Sequence, residues 1–250
     1  MYMRGYIKML VDLLKSDSIL AKSKGLSLFD HLVQVTQIAQ KIITLWGKGF
    51  DEKKRKILLL GSFLHDIGKI DPVFQKMLRG EKVVKRIKHE ANTIDYEDAI
   101  RSELTGICKF LSEQISEKIT VDESIIDDIL AFAATHHGLF YISRENGKWR
   151  IRREWTVFNL KETERITLID LLFEYYPFGG IVIIADLIQS YCFEKQIDWT
   201  PILRETPSYS QLVNFLIKEQ RIIEDSLKLD EPRDYNLKDI LTLIGGGIDA

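Results

Sequence analysis

His65 is followed at once by Asp66, His89 by Glu90, and His136 by His137, in a chain with only five histidines. The remaining one, His31, lies inside an apolar helical stripe. Imidazoles and carboxylates in this arrangement suit two kinds of chemistry: proton transfer near neutral pH, and ligation of a divalent cation by nitrogen and oxygen. Each motif also has a plainer reading. His31 reads as a satisfied core residue, His65-Asp66 as an ion pair, and His89-Glu90 as a surface pair near a helix start. His136-His137-Gly138 reads as a helix C-terminus, where imidazolium complements the macrodipole and glycine supplies the left-handed cap. A shared metal site accounts for all of them more economically. Buried imidazoles and carboxylates need partners, and one cation satisfies several at once.

Ligands of a metal must be held by rigid elements, and the flanking sequence supplies them. "SLFDHLVQVTQIAQKIITLW" sets Leu28, Leu32, Val35, Ile38, Ala39 and Ile42 at helical spacing, with His31 on the same stripe. "DEKKRKILLLGSFLHDIG" opens with acids and closes at Gly68, with Pro72 soon after, so His65 and Asp66 end a strongly apolar helix. Further helices are predicted over "HEANTIDYEDAIRSELTGICKFLSEQ", "DESIIDDILAFAATHHG", "ITLIDLLFEYY", "GGIVIIADLIQSYCFEK" and "SYSQLVNFLIKEQRIIEDSL". One segment departs from this pattern. "FYISRENGKWRIRREW" places Asn146-Gly147 between alternating residues, a hairpin signal. The expected fold is all-α: one compact helical bundle over residues 1–250 with a small β-hairpin insertion. Its motif core spans about 27–190, helices at about 207–244 pack against it, and the terminal "GGGIDA" frays.

Composition bounds the functional classes. Hydrophobic residues make up 45% of the 250, enough for a sizeable core. The net charge of −2 gives no global basic field, so contact with nucleic acid must come from local patches. Cys108 and Cys192 form no C-x-x-C pair, which favours a reducing compartment over a disulfide framework. "MYMRGYIKMLVDLLK" breaks its apolar residues with charge, and "GGIVIIADLI" is short and contains Asp186, so neither reads as a signal peptide or a membrane span. A soluble cytoplasmic protein is expected.

The motifs run in the order His31, His65-Asp66 in "LHDIGK", His89 in "KHE", His136-His137 in "THHG", and Asp186 in "ADLIQS". This order resembles the HD superfamily of metal-dependent phosphohydrolases, all-helical proteins named for the adjacent His-Asp pair. Within it, the pattern is most similar to the HD nuclease of type I CRISPR interference. The resemblance covers about residues 27 to 190 and implies an HD-domain bundle holding two divalent metal ions. It assigns His31, His65, Asp66 and Asp186 to the first ion. Asp66 is shared with the second, which adds His89, His136 and His137. Asp66 and Lys69 carry the catalytic roles. Two ions about 3.5–4 Å apart can clamp the attacking and leaving oxygens of a phosphodiester, and a carboxylate with two oxygens can bridge them. Lys69, at i+3 from Asp66, is aimed at the same place and suits a phosphate oxygen, although it reads nearly as well as an exposed helix-end cation. Nitrogen and oxygen ligands without thiolate favour Mn, Fe, Co or Ni, with Mg also admissible.

Two basic stretches fit a single-stranded DNA substrate. "RGEKVVKRIKHE" sets Lys85, Arg86 and Lys88 just before His89. In the hairpin, Lys148, Arg150 and Arg152 alternate onto one face, near Phe140, Tyr141, Trp149 and Trp155. Cations that follow phosphates and rings that stack on bases make a single-strand groove, while the same residues also read as solvated surface. Two other functions are open: a phosphohydrolase acting on nucleotides or small phosphoesters, and a non-catalytic HD binding module. The chain contains no G-x-x-x-x-G-K-[ST] motif. The resemblance is therefore to the stand-alone nuclease, whose partners are a separate CRISPR helicase subunit and the RNA-guided surveillance complex.

Overall fold

Ser27 begins the helix that carries the first histidine. Its hydroxyl accepts from the Asp30 amide at 3.0 Å, an N-cap worth about 1 kcal/mol. From there α2 runs over Leu28–Trp46. A computed structural model describes residues 10–47, 50–87, 89–136, 140–145, 148–153, 166–167 and 180–219 of the chain. A short α1, Leu10–Leu14, precedes α2, and α3 follows over Glu52–Leu64, capped by the Asp51 carboxylate on the Lys54 amide. Asp71 then caps α4, Pro72–Leu78, with proline at the first helical position, where no amide donor is needed. The remaining helices are α5 (His89–Asn92), α6 (Glu97–Ile115), α7 (Ile126–Thr135), α8 (Ile181–Lys195), α9 (Thr200–Glu205) and α10 (Tyr209–Lys218). Helices dominate the described residues. Three short strands, β1 (Phe140–Glu145), β2 (Lys148–Arg153) and β3 (Ile166–Thr167), pair antiparallel in the order β2-β1-β3.

One hydrophobic core, from Leu10 to Leu216, joins α1, α2, α3, α6, α7, α8, α9 and α10. α2 packs against both α8 and α3, and α3 packs against α7. α8 explains this layering. Every residue from Ile181 to Cys192 is buried, so over that stretch the helix has no solvent face and is enclosed by its neighbours. Three polar residues interrupt it at i, i+3 and i+4: Asp186, Gln189 and Ser190, all buried. That spacing places them on one side of the helix. At the far end α10 contributes Leu212, Val213 and Leu216 to the core, and residues 220–250 lie outside the described chain.

The structure corrects the expected elements in three places. The helix expected over 51–68 stops at Leu64 and becomes a 3₁₀ turn over Ile67–Ile70, with the Lys69 amide bonded to the Asp66 carbonyl at 2.9 Å. The helix expected from His89 is interrupted by a second 3₁₀ turn, Thr93–Tyr96. There the Thr93 hydroxyl bonds back to the His89 carbonyl at 3.3 Å and competes with the regular helical bond. Ile166–Thr167, expected to start a helix, instead adds to β1, whose open edge suits a β-branched pair. The Asn146-Gly147 pair that signals a hairpin lies outside the described residues. No helix among the described residues is long and apolar enough to cross a membrane.

Close backbone contact makes one glycine indispensable. A Cβ on Gly68 would sit 1.8 Å from the His89 carbonyl oxygen and 3.0 Å from the Thr93 amide nitrogen. The 3₁₀ turn can therefore press against α5 only through glycine. A Cβ on Gly106, inside α6, meets nothing within 4 Å. Gly68→Ala should lower the melting temperature sharply, whereas Gly106→Ala should raise stability by about 0.5–1 kcal/mol, as for an unhindered helical glycine. Thermal melts of the two variants check both signs.

Candidate metal centre

Six of the residues singled out in the sequence converge. His31 comes from the first turns of α2, and His65 and Asp66 from the end of α3. His89 opens α5, His136 ends α7, and Asp186 lies in mid-α8. All six are at most 5% exposed. The Ile67–Ile70 turn packs on α5, which brings His89 to the end of α3. The Asp71 carboxylate, accepting from the Asn92 amide at 3.3 Å, ties α4 to the same place.

Asp66 stands at the centre, and its two oxygens face different neighbours. Oδ2 lies 2.9 Å from His31 Nε2 and 3.5 Å from His65 Nε2. Oδ1 lies 2.9 Å from His89 Nε2 and 3.3 Å from His136 Nε2. Asp186 joins the first set, with Oδ1 3.5 Å from His31 Nε2 and 3.9 Å from His65 Nε2. Two triads have ligand atoms close enough to share an ion: His31, His65 and Asp186, and His65, Asp66 and His136.

The outer nitrogens show which way the imidazoles are protonated. His65 Nδ1 donates to the Ser62 carbonyl at 2.7 Å, and His136 Nδ1 donates to the Ala133 carbonyl. A carbonyl can only accept, so each proton sits on Nδ1 and the Nε2 lone pair points inward. His31 Nδ1 meets Gln189 Oε1 at 2.8 Å, and the Gln189 amide nitrogen in turn donates to Gln34 at 3.2 Å. His31 Nε2 and His65 Nε2 are 3.2 Å apart with lone pairs facing, an arrangement that is favourable only with a positive charge between them. Asp66 Oδ1 accepts no hydrogen bond of good geometry from the described residues although it is buried. A buried carboxylate oxygen in that state normally calls for an unseen donor or ion. The donor set therefore fits a divalent cation bound by imidazole nitrogen and carboxylate oxygen.

Electrostatics supports the same protonation states. Burial pushes the His65 pKa down to about 3, against the opposing pull of Asp66 and Asp186, so the ring is neutral at physiological pH. Burial raises the Asp66 carboxyl, but the Lys69 ammonium, His65 and His89 outweigh it and hold the group well below its ordinary value. Asp186 behaves alike: burial is overcome by His31, His65 and Lys22, leaving it at about 2. Neutral imidazoles and ionised carboxylates are the forms that bind metal.

Lys69 is buried, not an exposed helix-end cation. Its Nζ lies 2.7 Å from Asp66 Oδ2 and donates to the Ala21 carbonyl at 3.3 Å. A 3₁₀ turn eclipses residues i and i+3, which explains why the ammonium stands over the Asp66 carboxylate. Lys85 and Arg86 are exposed on the stretch between α4 and α5 that ends at His89. His137 and Lys88 lie outside the described residues, as do the side chains of Lys148, Arg150 and Arg152 and of Phe140, Tyr141, Trp149 and Trp155. Gln189, which orients His31, and Lys22, which acts on Asp186, were not singled out in the sequence. A buried apolar helix with polar residues at i, i+3 and i+4 was the available signal for Gln189.

A family model described as "Cas3, HD domain" matches residues 15–190, more than half of the chain. No curated protein and no solved structure matches it significantly.

A neutral buried His65 links stability to pH. Its ordinary pKa is 6.5, and burial in the folded protein lowers it to about 3. Between those values the unfolded state binds more protons, so stability falls as pH falls. Chelator-treated protein should lose denaturant resistance from pH 7 to pH 5, and His65→Ala should weaken that dependence. Urea midpoints that do not move with pH would contradict a buried neutral ring.

Proposed function

The chain belongs to the Cas3 HD-domain family, a family of metal-dependent HD nucleases of CRISPR systems, and on that premise we propose that it cleaves single-stranded DNA during type I CRISPR interference. The observation that carries this reading is the division of the Asp66 carboxylate between two sets of imidazoles. One oxygen per set is the arrangement a bridging ligand of two cations needs.

When bound, two divalent cations supply Lewis acidity, polarising a phosphodiester and bringing the pKa of water toward neutrality. The chain's own residues do the rest. Asp66 bridges the two sets. His31, His65 and Asp186 would hold one ion, and His89 and His136 the other, with His137 assigned to that second ion only by the resemblance. Carbonyl partners on the outer nitrogens keep the rings neutral and fixed in angle, which lowers the reorganisation required at the moment of reaction. Lys69 holds Asp66 as a carboxylate, and its ammonium is of the kind that suits a phosphate oxygen. Burial of the whole cluster excludes bulk water and strengthens each of these interactions.

The substrate reading rests on the basic stretch before His89. Lys85 and Arg86 are exposed there, a few residues before His89 in the chain. Lys88, Lys148, Arg150 and Arg152, proposed from the sequence alone, would add further cations for the phosphate backbone. The single-stranded substrate is generated in the cytoplasm by a separate helicase subunit acting with the RNA-guided surveillance complex. Residues 1–250 are read as one domain.

Circular single-stranded DNA incubated with the protein and Mn(II) should be cut, and Asp66→Ala should reduce the rate by roughly a hundredfold or more. Turnover of nucleoside phosphates without cutting of the circle would instead favour a small-molecule phosphohydrolase. Failure to turn over either substrate with Mn, Co, Ni or Fe would favour a binding module.

A further inference from the structure

A second buried lysine, Lys22, acts on Asp186, and the cleavage chemistry does not use it. Lys22 is only 7% exposed, and its Nζ donates to Ser190 Oγ at 2.9 Å. Ser190 lies one helical turn after Asp186, on the same side of α8. A strap over residues 19–27 delivers it. Leu20 and Ser27 form an isolated antiparallel bridge, the Ala21 amide bonds to the Leu26 carbonyl at 2.8 Å, and Gly25 turns the chain at φ +93°. Both ends of the strap's reach are fastened. Gln75 bonds the Leu20 amide and carbonyl at 2.9 Å each, and Lys24 pairs with Glu194 on α8. The strap also supplies the Ala21 carbonyl that receives Lys69.

Among the described residues, the carboxylates and ammonium groups at the centre are matched two to two before any metal enters. Asp66 and Asp186 bring two negative charges, and Lys69 and Lys22 bring two positive ones. A cluster built only to hold dications tightly would do better without buried ammonium groups, since each repels the incoming ion. The repulsion has a use when the ligand to be bound next is an anion. Two fixed positive charges leave an excess of positive potential on the loaded site, which favours a phosphate.

Resting on the metal-centre reading above, we propose that Lys22 is a positioning residue that trades cation affinity at the His31–His65–Asp186 group for affinity toward the phosphate of the substrate. It acts through the field at Asp186 and is anchored by Ser190 and the strap. The trade gives opposite signs for two ligands, which a merely structural lysine cannot produce.

The test uses the full chain with Lys22→Met and Lys22→Arg. Chelated protein is titrated with Co(II), read by its visible absorption, and the Co-loaded protein is then titrated with inorganic phosphate. Lys22→Met should bind Co(II) about fivefold more tightly and phosphate about fivefold more weakly, from the loss of one nearby charge in a partly screened site. Lys22→Arg, which keeps the charge, should stay near wild type for both. If Lys22→Met weakens both ligands, or changes neither, while wild type binds Co(II), the role of Lys22 is overturned and the metal centre stands. If Lys22→Met fails to fold, Lys22→Gln takes its place: tighter Co(II) with weaker phosphate supports the proposal, and shifts of the same sign or none overturn it. Wild-type protein that takes up no Co(II) overturns the metal-centre reading together with this one.

Discussion

The Asp66 carboxylate is the constraint on which the remaining structure depends. It is buried and ionised, with Lys69 against one oxygen and four imidazole nitrogens within 3.5 Å of the two. Isolated ionised carboxylates are not tolerated in a protein interior. Every nearby element accordingly contributes something that makes this one tolerable. The end of α3 contributes the residue itself and His65. The 3₁₀ turn contributes Lys69, α2 contributes His31, α5 His89, and α7 His136. An apolar core that runs from Leu10 to Leu216 then holds these elements at fixed separations, which is what ligand geometry demands.

Several contacts outside the ligand set do less visible work on the same geometry. Gln189 and the Ser62 and Ala133 carbonyls each take the outer proton of a ring and turn its lone pair inward. Thr93 reaches both the His65 and the His89 carbonyls, at 3.5 and 3.3 Å, and so links the two segments whose rings flank Asp66. Gln75 bonds the Lys69 carbonyl at 2.7 Å and the strap at Leu20, joining the lysine's backbone to the loop its side chain also touches. The centre is thus braced from the backbone outward, with the side chains having little rotational freedom to lose when a ligand arrives.

Much of this was legible in the sequence, and the reason is local. An adjacent His-Asp pair at the end of an apolar helix, and a His doublet at the end of another, are visible because the helices announce themselves by period and caps. The α2 stripe including His31 followed from the same periodicity. What was not legible depends on three-dimensional pairing. Lys69 could be read as exposed because nothing in "HDIGK" says that the turn after Asp66 is 3₁₀ and tucks the ammonium under Ala21. The helix starting at His89 was read as continuous because the competing bond from Thr93 is a single side-chain contact. Lys22 sits in a loop whose register is set by Gln75, more than fifty residues away, and no spacing rule reaches that far.

The most direct measurement is anomalous diffraction from crystals of this chain grown with Mn(II). Two peaks are predicted on either side of Asp66, one bonded to Oδ2 with His31, His65 and Asp186, the other bonded to Oδ1 with His89 and His136. Manganese absent from both oxygens of Asp66, or imidazoles turned so that Nε2 points away from it, would contradict the account.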